Sequence, residues 1–192
     1  IYSESMPAPG FTGCAAGKYQ RKHIPAVNWQ GVNIPASSNL PFTSFPSDLS
    51  KLPTLSIVVP DDDNNMHDGI PPWNITRADT WLRDHIERYA QWAMKNNSLL
   101  VLTFDEDDGS EANRITTIFV GPMVKPGRYD QRTDHYGVLR TLLDLYGLPA
   151  IGAAAGAQPI TAIWLQPARR ARCSSRGGRG RWPCSTRRDE CL

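Results

Sequence analysis

No apolar run in this 192-residue chain comes near the ~20 residues that a helix needs to cross a bilayer. No segment has the charged start and apolar middle of a secretory leader. Cysteine is scarce as well. Cys173, Cys184 and Cys191 all lie beyond residue 166, which leaves Cys14 alone in the remainder and no disulfide framework to read. Charge of either sign is nearly absent in sum, +2, but the sum conceals a split. Residues 167–192 carry eight arginines against Asp189 and Glu190, whereas residues 1–166 carry thirteen Lys and Arg against seventeen Asp and Glu. The basic isoelectric point therefore belongs to the tail and says little about the partners of the body. The tail lacks apolar periodicity and is expected to be disordered. Its arginines would suit nucleic acid or an anionic membrane. The plainer reading is an unstructured extension, of the kind a shifted reading frame at the end of a gene would produce, and no nucleic-acid partner is expected. The chain opens at Ile1 without an initiator methionine and reads as a fragment.

What is present is an α/β pattern on the scale of one ordinary domain. Residues 1–50 are rich in Pro, Gly, Ser and Asn and predict long irregular loops, with one short helix near Phe45–Leu52 capped by Ser47. Thr54–Pro60 predicts a short strand that runs into the acidic loop Asp61–Gly69. Asp79 would cap a helix over about Thr80–Lys95, with Leu82, Ile86, Tyr89 and Ala93 on its buried face. Leu99–Phe104 is an apolar run that reads as a strand buried on both faces. Strand, loop, helix, strand is the grammar of a parallel sheet. Ile115–Val120 adds a third strand, closed by Gly121-Pro122. Asp134 would cap a last helix, His135–Tyr146, with Val138, Leu139, Leu142 and Leu145 as its buried stripe and Gly147 as its stop.

The strand Leu99–Phe104 ends in Asp105-Glu106-Asp107-Asp108-Gly109. Active sites of open α/β sheets lie beyond the carboxyl ends of their strands. Four carboxylates there repel one another unless solvated, protonated or neutralised by a cation, and hard divalent cations take oxygen ligands of this kind. The bland alternative is a solvated acidic turn. The first loop adds His67 beside Asp68, so an imidazole and carboxylates converge on one edge, a set suited to a divalent metal or to acid–base work on an ester. His23 and His135 are further candidates, while His85, inside a helix, reads as structural or exposed.

The segments YQRKHIPAVNW, VVPDDDNNMHDG, ADTWLRDHI, NSLLVLTFDEDDG, NRITTIFVGPMVKPG and TDHYGVLRTLLDLYGL together resemble the bacterial phosphoesterase family of acid phosphatases and phospholipase C enzymes, in order and over about residues 1–148. The resemblance implies a three-layer, alkaline-phosphatase-like α/β sandwich with a mostly parallel sheet, and hydrolysis of phosphate esters. It implies Asp105 and Glu106 as ligands of a divalent metal of unspecified identity, and His67 and His23 as catalytic contacts to the phosphate or leaving group. Asp68, Asp107 and His135 would stand behind them. Ile24 departs from the asparagine usual after that first histidine. Asp63 and Gly69 stand where relatives often carry cysteine, so Cys14 would lack its usual disulfide partner.

The family's Glu-Asn metal motif and its Ser or Thr nucleophile fall upstream of Ile1. Residues 1–166 are thus expected to be the C-terminal portion of a phosphoesterase domain with its N-terminal part missing, weakly active or inactive alone, and 167–192 an Arg-rich tail. The implied substrate is a small phosphomonoester, since nothing in the body reads as a basic or apolar membrane face. A phospholipase C-type phosphodiesterase and a non-catalytic binding module with a basic tail are the alternatives. If the optimum is acidic, at least one histidine would act while protonated. The resemblance also implies a secreted or periplasmic protein, and leaves the oligomeric state open.

Overall fold

The computed structural model describes residues 1–30 and 33–165. The arginine-rich tail and its cysteines lie outside the described residues. A three-stranded parallel sheet organises the first third of the chain. Its centre is β1 (Tyr2–Ser3), flanked by β4 (Leu40–Pro41) and β5 (Val58–Val59), with Tyr2 in register with both Leu40 and Val58. The backbone bonds Tyr2 N–H to Ile57 O (2.8 Å) and Glu4 N–H to Val59 O (2.9 Å) carry the β1–β5 pairing past the strand ends. Between β1 and β4 come a hairpin, β2 (Ala15–Ala16) and β3 (Tyr19–Gln20), and the helix α1 (Pro25–Gln30). Gly17 takes φ +58 in the hairpin turn, a backbone region that glycine enters without steric cost.

The expectation of loops over residues 1–50 is corrected. This stretch supplies the central strand and a buried cluster of Met6, Tyr19, Ile24, Val27 and Ile34. Strands of two residues and single 3-10 turns are shorter than any period a sequence window can register. The short helix near residue 50 is a 3-10 turn at Leu49–Lys51, and Asp48, not Ser47, caps it by accepting Ser50 N–H at 3.1 Å. Of Thr54–Pro60, only Val58–Val59 is strand.

The following helix begins earlier than its sequence suggests. Helix α2 spans Trp73–His85, and a turn at Ile86 separates it from α3 (Glu87–Ala93). Pro71-Pro72 mark the start, and Asp79 lies exposed inside the helix instead of capping it. His85 is structural, as expected: its ring stacks on Trp81 at 4.9 Å and its Nδ1 lies 2.9 Å from Trp81 O.

β6 (Leu100–Thr103) pairs antiparallel with β7 (Thr117–Val120). Among the described residues this pair does not join the parallel sheet, and β6 is only partly buried. An apolar run announces a strand but not its neighbours, so the expected double-faced burial is corrected. α4 (His135–Leu145) is capped by Asp134, whose carboxylate accepts Gly137 N–H at 2.8 Å. Its buried residues are Gly137 and Thr141, while Leu139 and Leu145 of the expected stripe are exposed. Thr141 explains the shift of face. Its hydroxyl donates to Gly137 O (2.7 Å) and accepts Ile160 N–H (2.8 Å), fastening the segment after residue 152 to that side.

Candidate active site

Because β1 and β5 run parallel, their carboxyl ends emerge side by side and place Glu4-Ser5 against Asp61-Asp62. Both oxygens of Glu4 are committed. Oε1 accepts the Trp81 indole N–H at 2.7 Å, and Oε2 accepts Asp61 N–H and the Asn64 amide, each at 3.0 Å. Ser5 sits at φ +56, in a region that L side chains rarely adopt, and its hydroxyl donates to Asp61 Oδ2 at 2.5 Å. Asp61 in turn accepts Asp63 N–H at 3.0 Å on Oδ1. Its carbonyl takes Asn64 N–H and Asn65 N–H. The 61–69 loop is therefore wound around one buried carboxylate, which fixes where His67 emerges.

His67 N–H donates to Asn65 Oδ1 at 2.8 Å. Its Nδ1 is 2.8 Å from Asp68 Oδ1 and its Nε2 is 3.0 Å from Lys22 Nζ. An ammonium can only donate, so a neutral ring that satisfies both contacts carries its proton on Nδ1 and offers the Nε2 lone pair to Lys22. The hydrogen bond from His67 holds the Asp68 carboxyl below the usual carboxylate range.

His23 follows directly on Lys22, in the turn after β3, and its ring centroid lies 5.1 Å from that of His67. Its Nε2 comes within 3.3 Å of Asp62 Oδ1. That is ion-pair distance without hydrogen-bond alignment, so the ring nitrogen is buried and has no hydrogen-bond partner among the described residues. Burial, the largest influence, lowers the His23 pKa below the ordinary imidazole value. Asp62 and Asp105 act the other way, and Lys22 and His67 add to the depression. Burial thus disfavours the charged form of His23. Asp62 is itself fixed by Asp62 N–H to Lys18 O at 3.2 Å, and Asp63 lies between Lys18 (2.9 Å) and Arg77 (3.0 Å).

The second acidic loop approaches from β6. Asp105 and Glu106 are exposed, and the Asp105 carbonyl accepts a hydrogen bond from His135 Nε2 at 2.8 Å. His135, the first residue of α4, thereby ties that helix to the strand end. Asp107 faces its own loop: it accepts Gly109 N–H (2.9 Å), Glu111 N–H (3.0 Å) and Asn113 N–H (2.8 Å). These backbone donors, Gly109 first, lower its pKa.

Of the residues anticipated from the sequence, His23, His67 and Asp68 form one cluster, and Asp105 is near enough for its charge to act on His23. Among the described residues, no hydrogen bond or ion pair joins the side chains of Asp105 or Glu106 to either imidazole. Glu4, Ser5, Asp62 and Lys22 were missed. Asp62 and Lys22 carried only the signal of standing in the acidic loop or beside His23, and Glu4 and Ser5 carried none.

The divalent metal implied by the resemblance can be tested against this donor set. Asp105 and Glu106 are hard oxygen donors. Among the described residues, however, no three His, Cys, Asp or Glu side chains converge as a metal site would require. Asp105 and Glu106 alone do not complete a cation site among the described residues.

The sequence model of the phosphoesterase family matches residues 1–149. The chain belongs to that family. The chain is 50% identical over 165 residues to a phosphatidylinositol-3-phosphatase of Mycobacterium tuberculosis, covering 85% of the chain and 53% of the relative. It is 33% identical to an acid phosphatase of Aspergillus fumigatus (79% and 37% covered) and 29% identical to one of Aspergillus niger (79% and 39% covered). The chain spans about half the length, or less, of these relatives. No solved structure matches.

Proposed function

We propose that this phosphoesterase takes part in hydrolysing phosphate monoesters, with His23 and His67 receiving the phosphate. The observation that carries the reading is the buried His23 Nε2 without a hydrogen-bond partner, set 5.1 Å from a second imidazole that is hydrogen-bonded to an ammonium. An unmet ring nitrogen beside the carboxyl ends of parallel strands is a position for a ligand atom to fill. A phosphate oxygen has the size and charge to fill it, and Lys22 would offset part of that charge. Phosphoryl transfer relies on positioning and on charge neutralisation around phosphorus, which is what such a cluster supplies. The phosphatase names of all three relatives favour a monoester over a phosphodiester. The phosphatidylinositol-3-phosphatase name admits a phosphate carried on a lipid headgroup.

In this proposal residues 1–166 act as the carboxyl-terminal portion of the domain, and the attacking hydroxyl comes from outside them. Asp105 and Glu106 act as two members of a larger set of cation ligands, held in place through His135. Export to the periplasm or the medium belongs to the same proposal and is carried by the resemblance alone. Among the described residues, no helix is long and apolar enough to cross a membrane.

The test is hydrolysis of an aryl phosphate by the complete protein. His67→Ala should lower kcat/KM by roughly 100-fold or more, the scale of losing a positioned proton-transfer or charge-stabilising group. Asp105→Ala should abolish turnover. Wild-type rates in both variants would reject the assignment.

A further inference from the structure

One stripe of α2 reaches the segment that carries His67. Asn74, Arg77 and Trp81 are spaced three and four apart, which aligns them along one face of the helix. The Asn74 amide reaches Met66 O at 3.5 Å, Arg77 meets Asp63 at 3.0 Å, and the Trp81 indole N–H donates to Glu4 Oε1 at 2.7 Å. Met66, directly before His67, sits at φ +71, where a residue with a side chain stays only if its surroundings hold it. The loop is thus kept against its own backbone preference, and α2 is one of the elements that keeps it.

Trp81 is the most firmly placed of the stripe. Arg77 is half exposed, and the Asn74 bond lies at the limit of hydrogen-bond distance. Trp81, by contrast, is buried, its ring stacks on His85 with centroids 4.9 Å apart, and Phe42 closes on it at 5.4 Å. A ring packed in this way cannot turn, so its N–H has one direction, and an indole N–H can only donate. Its acceptor is the carboxylate whose other oxygen takes Asp61 N–H and the Asn64 amide, each at 3.0 Å. Asn65 follows Asn64 directly, and its side chain accepts His67 N–H at 2.8 Å. Hydrogen bonds and one short stretch of backbone therefore lead without a gap from the buried indole to the imidazole.

We propose that Trp81 is a positioning residue for His67, acting through Glu4. Its N–H sets the direction of the Glu4 carboxylate, the carboxylate sets the turn at Asp61–Asn64, and that turn sets where the imidazole points. Trp81 itself meets neither the phosphate nor His67. The consequence for hydrolysis rests on the proposed function; the hold on the His67 ring does not.

The test uses the complete protein and removes the donor alone. Trp81→Phe keeps an aromatic ring against His85 and Phe42 and deletes the N–H. The imidazole NMR resonances of His67, assigned with His67→Ala, should move in Trp81→Phe. Those of His135 should keep their positions, which also shows that the variant folds. Aryl phosphate kcat/KM should fall roughly tenfold, the scale of a small misplacement of a positioned group. Glu4→Gln should lose about as much, because one amide oxygen cannot serve both the indole and the loop. In the double variant that oxygen is free for the loop, so the loss should stay roughly tenfold where independent effects would multiply to about a hundredfold. A ring that only fills space would lose its contribution independently of Glu4. Unmoved His67 resonances in Trp81→Phe overturn the proposal, as do losses that multiply. Wild-type hydrolysis in Trp81→Phe beside a loss in His67→Ala overturns it too. If Trp81→Phe does not fold, Glu4→Gln breaks the same link from the other side and carries the same expectation for the His67 resonances. Wild-type hydrolysis in His67→Ala, with those resonances moved in Trp81→Phe, would remove the proposed function and leave the positioning standing.

Discussion

Glu4 and Trp81, 77 residues apart in the chain, are joined by a 2.7 Å hydrogen bond from the indole N–H to the carboxylate. Through Glu4 the same bond connects helix α2, strand β1 and the loop that carries His67. Removing that carboxylate would strand the indole N–H, Asp61 N–H and one Asn64 donor in a partly buried pocket. Glu4→Ala should therefore destabilise the fold by about 2 kcal/mol, the usual scale for buried donors left unpaired. Glu4→Gln keeps one acceptor oxygen and should recover part of the loss. Denaturant midpoints measure both, and an unchanged midpoint in Glu4→Ala would show that the network contributes nothing.

His23 sets a pH dependence of stability. Its pKa is lowered in the folded state, chiefly by burial, so the unfolded chain binds the proton more readily. Stability should be constant well above the unfolded imidazole value of about 6.5 and should decline as pH falls through it, down to the folded pKa. The groups facing the ring are Asp62, Asp105, Lys22 and His67, and their influences are already contained in that net lowering. His23→Asn should flatten the decline between about pH 7.5 and 5.5. A wild-type slope in the variant would contradict the assignment.

Asp107 organises the second acidic loop by accepting three backbone N–H groups. Asp107→Ala should speed hydrogen exchange over residues 105–113 and leave α2 and α4 protected. Exchange that stays at the wild-type rate would mean that the loop is held by other contacts.

Asp134→Ala removes the cap of α4 and should cost about 1 kcal/mol. Because His135 follows the cap and donates to the Asp105 carbonyl, aryl phosphate turnover should drop as well. A stability loss with no change in turnover would separate the helix cap from the site.

What could be read in the chain was local. Asp134 three residues before Gly137 announced a cap, Gly147 (φ +62) announced a helix end, and His67-Asp68 announced a polar pair. Each signal lies within a few residues, which is the range over which side chains bias their own backbone. What could not be read was pairing at a distance. Tyr2-Ser3 became the centre of a sheet because Leu40-Pro41 and Val58-Val59 flank it, and a strand of two residues leaves no pattern. Glu4 gained its importance from Trp81, and Asp62 from His23, across separations that no window spans. The apolar run before Asp105 pointed to a strand, but its partner proved to be β7 on one side and partial exposure elsewhere.

The contact between Lys22 and His67 works as a guard on a lone pair. While the ammonium donates to Nε2, that lone pair is already engaged. In the proposed function, a phosphate dianion would compete for the same ammonium and release that lone pair. Readiness of the imidazole would then follow occupancy through competition for one cation.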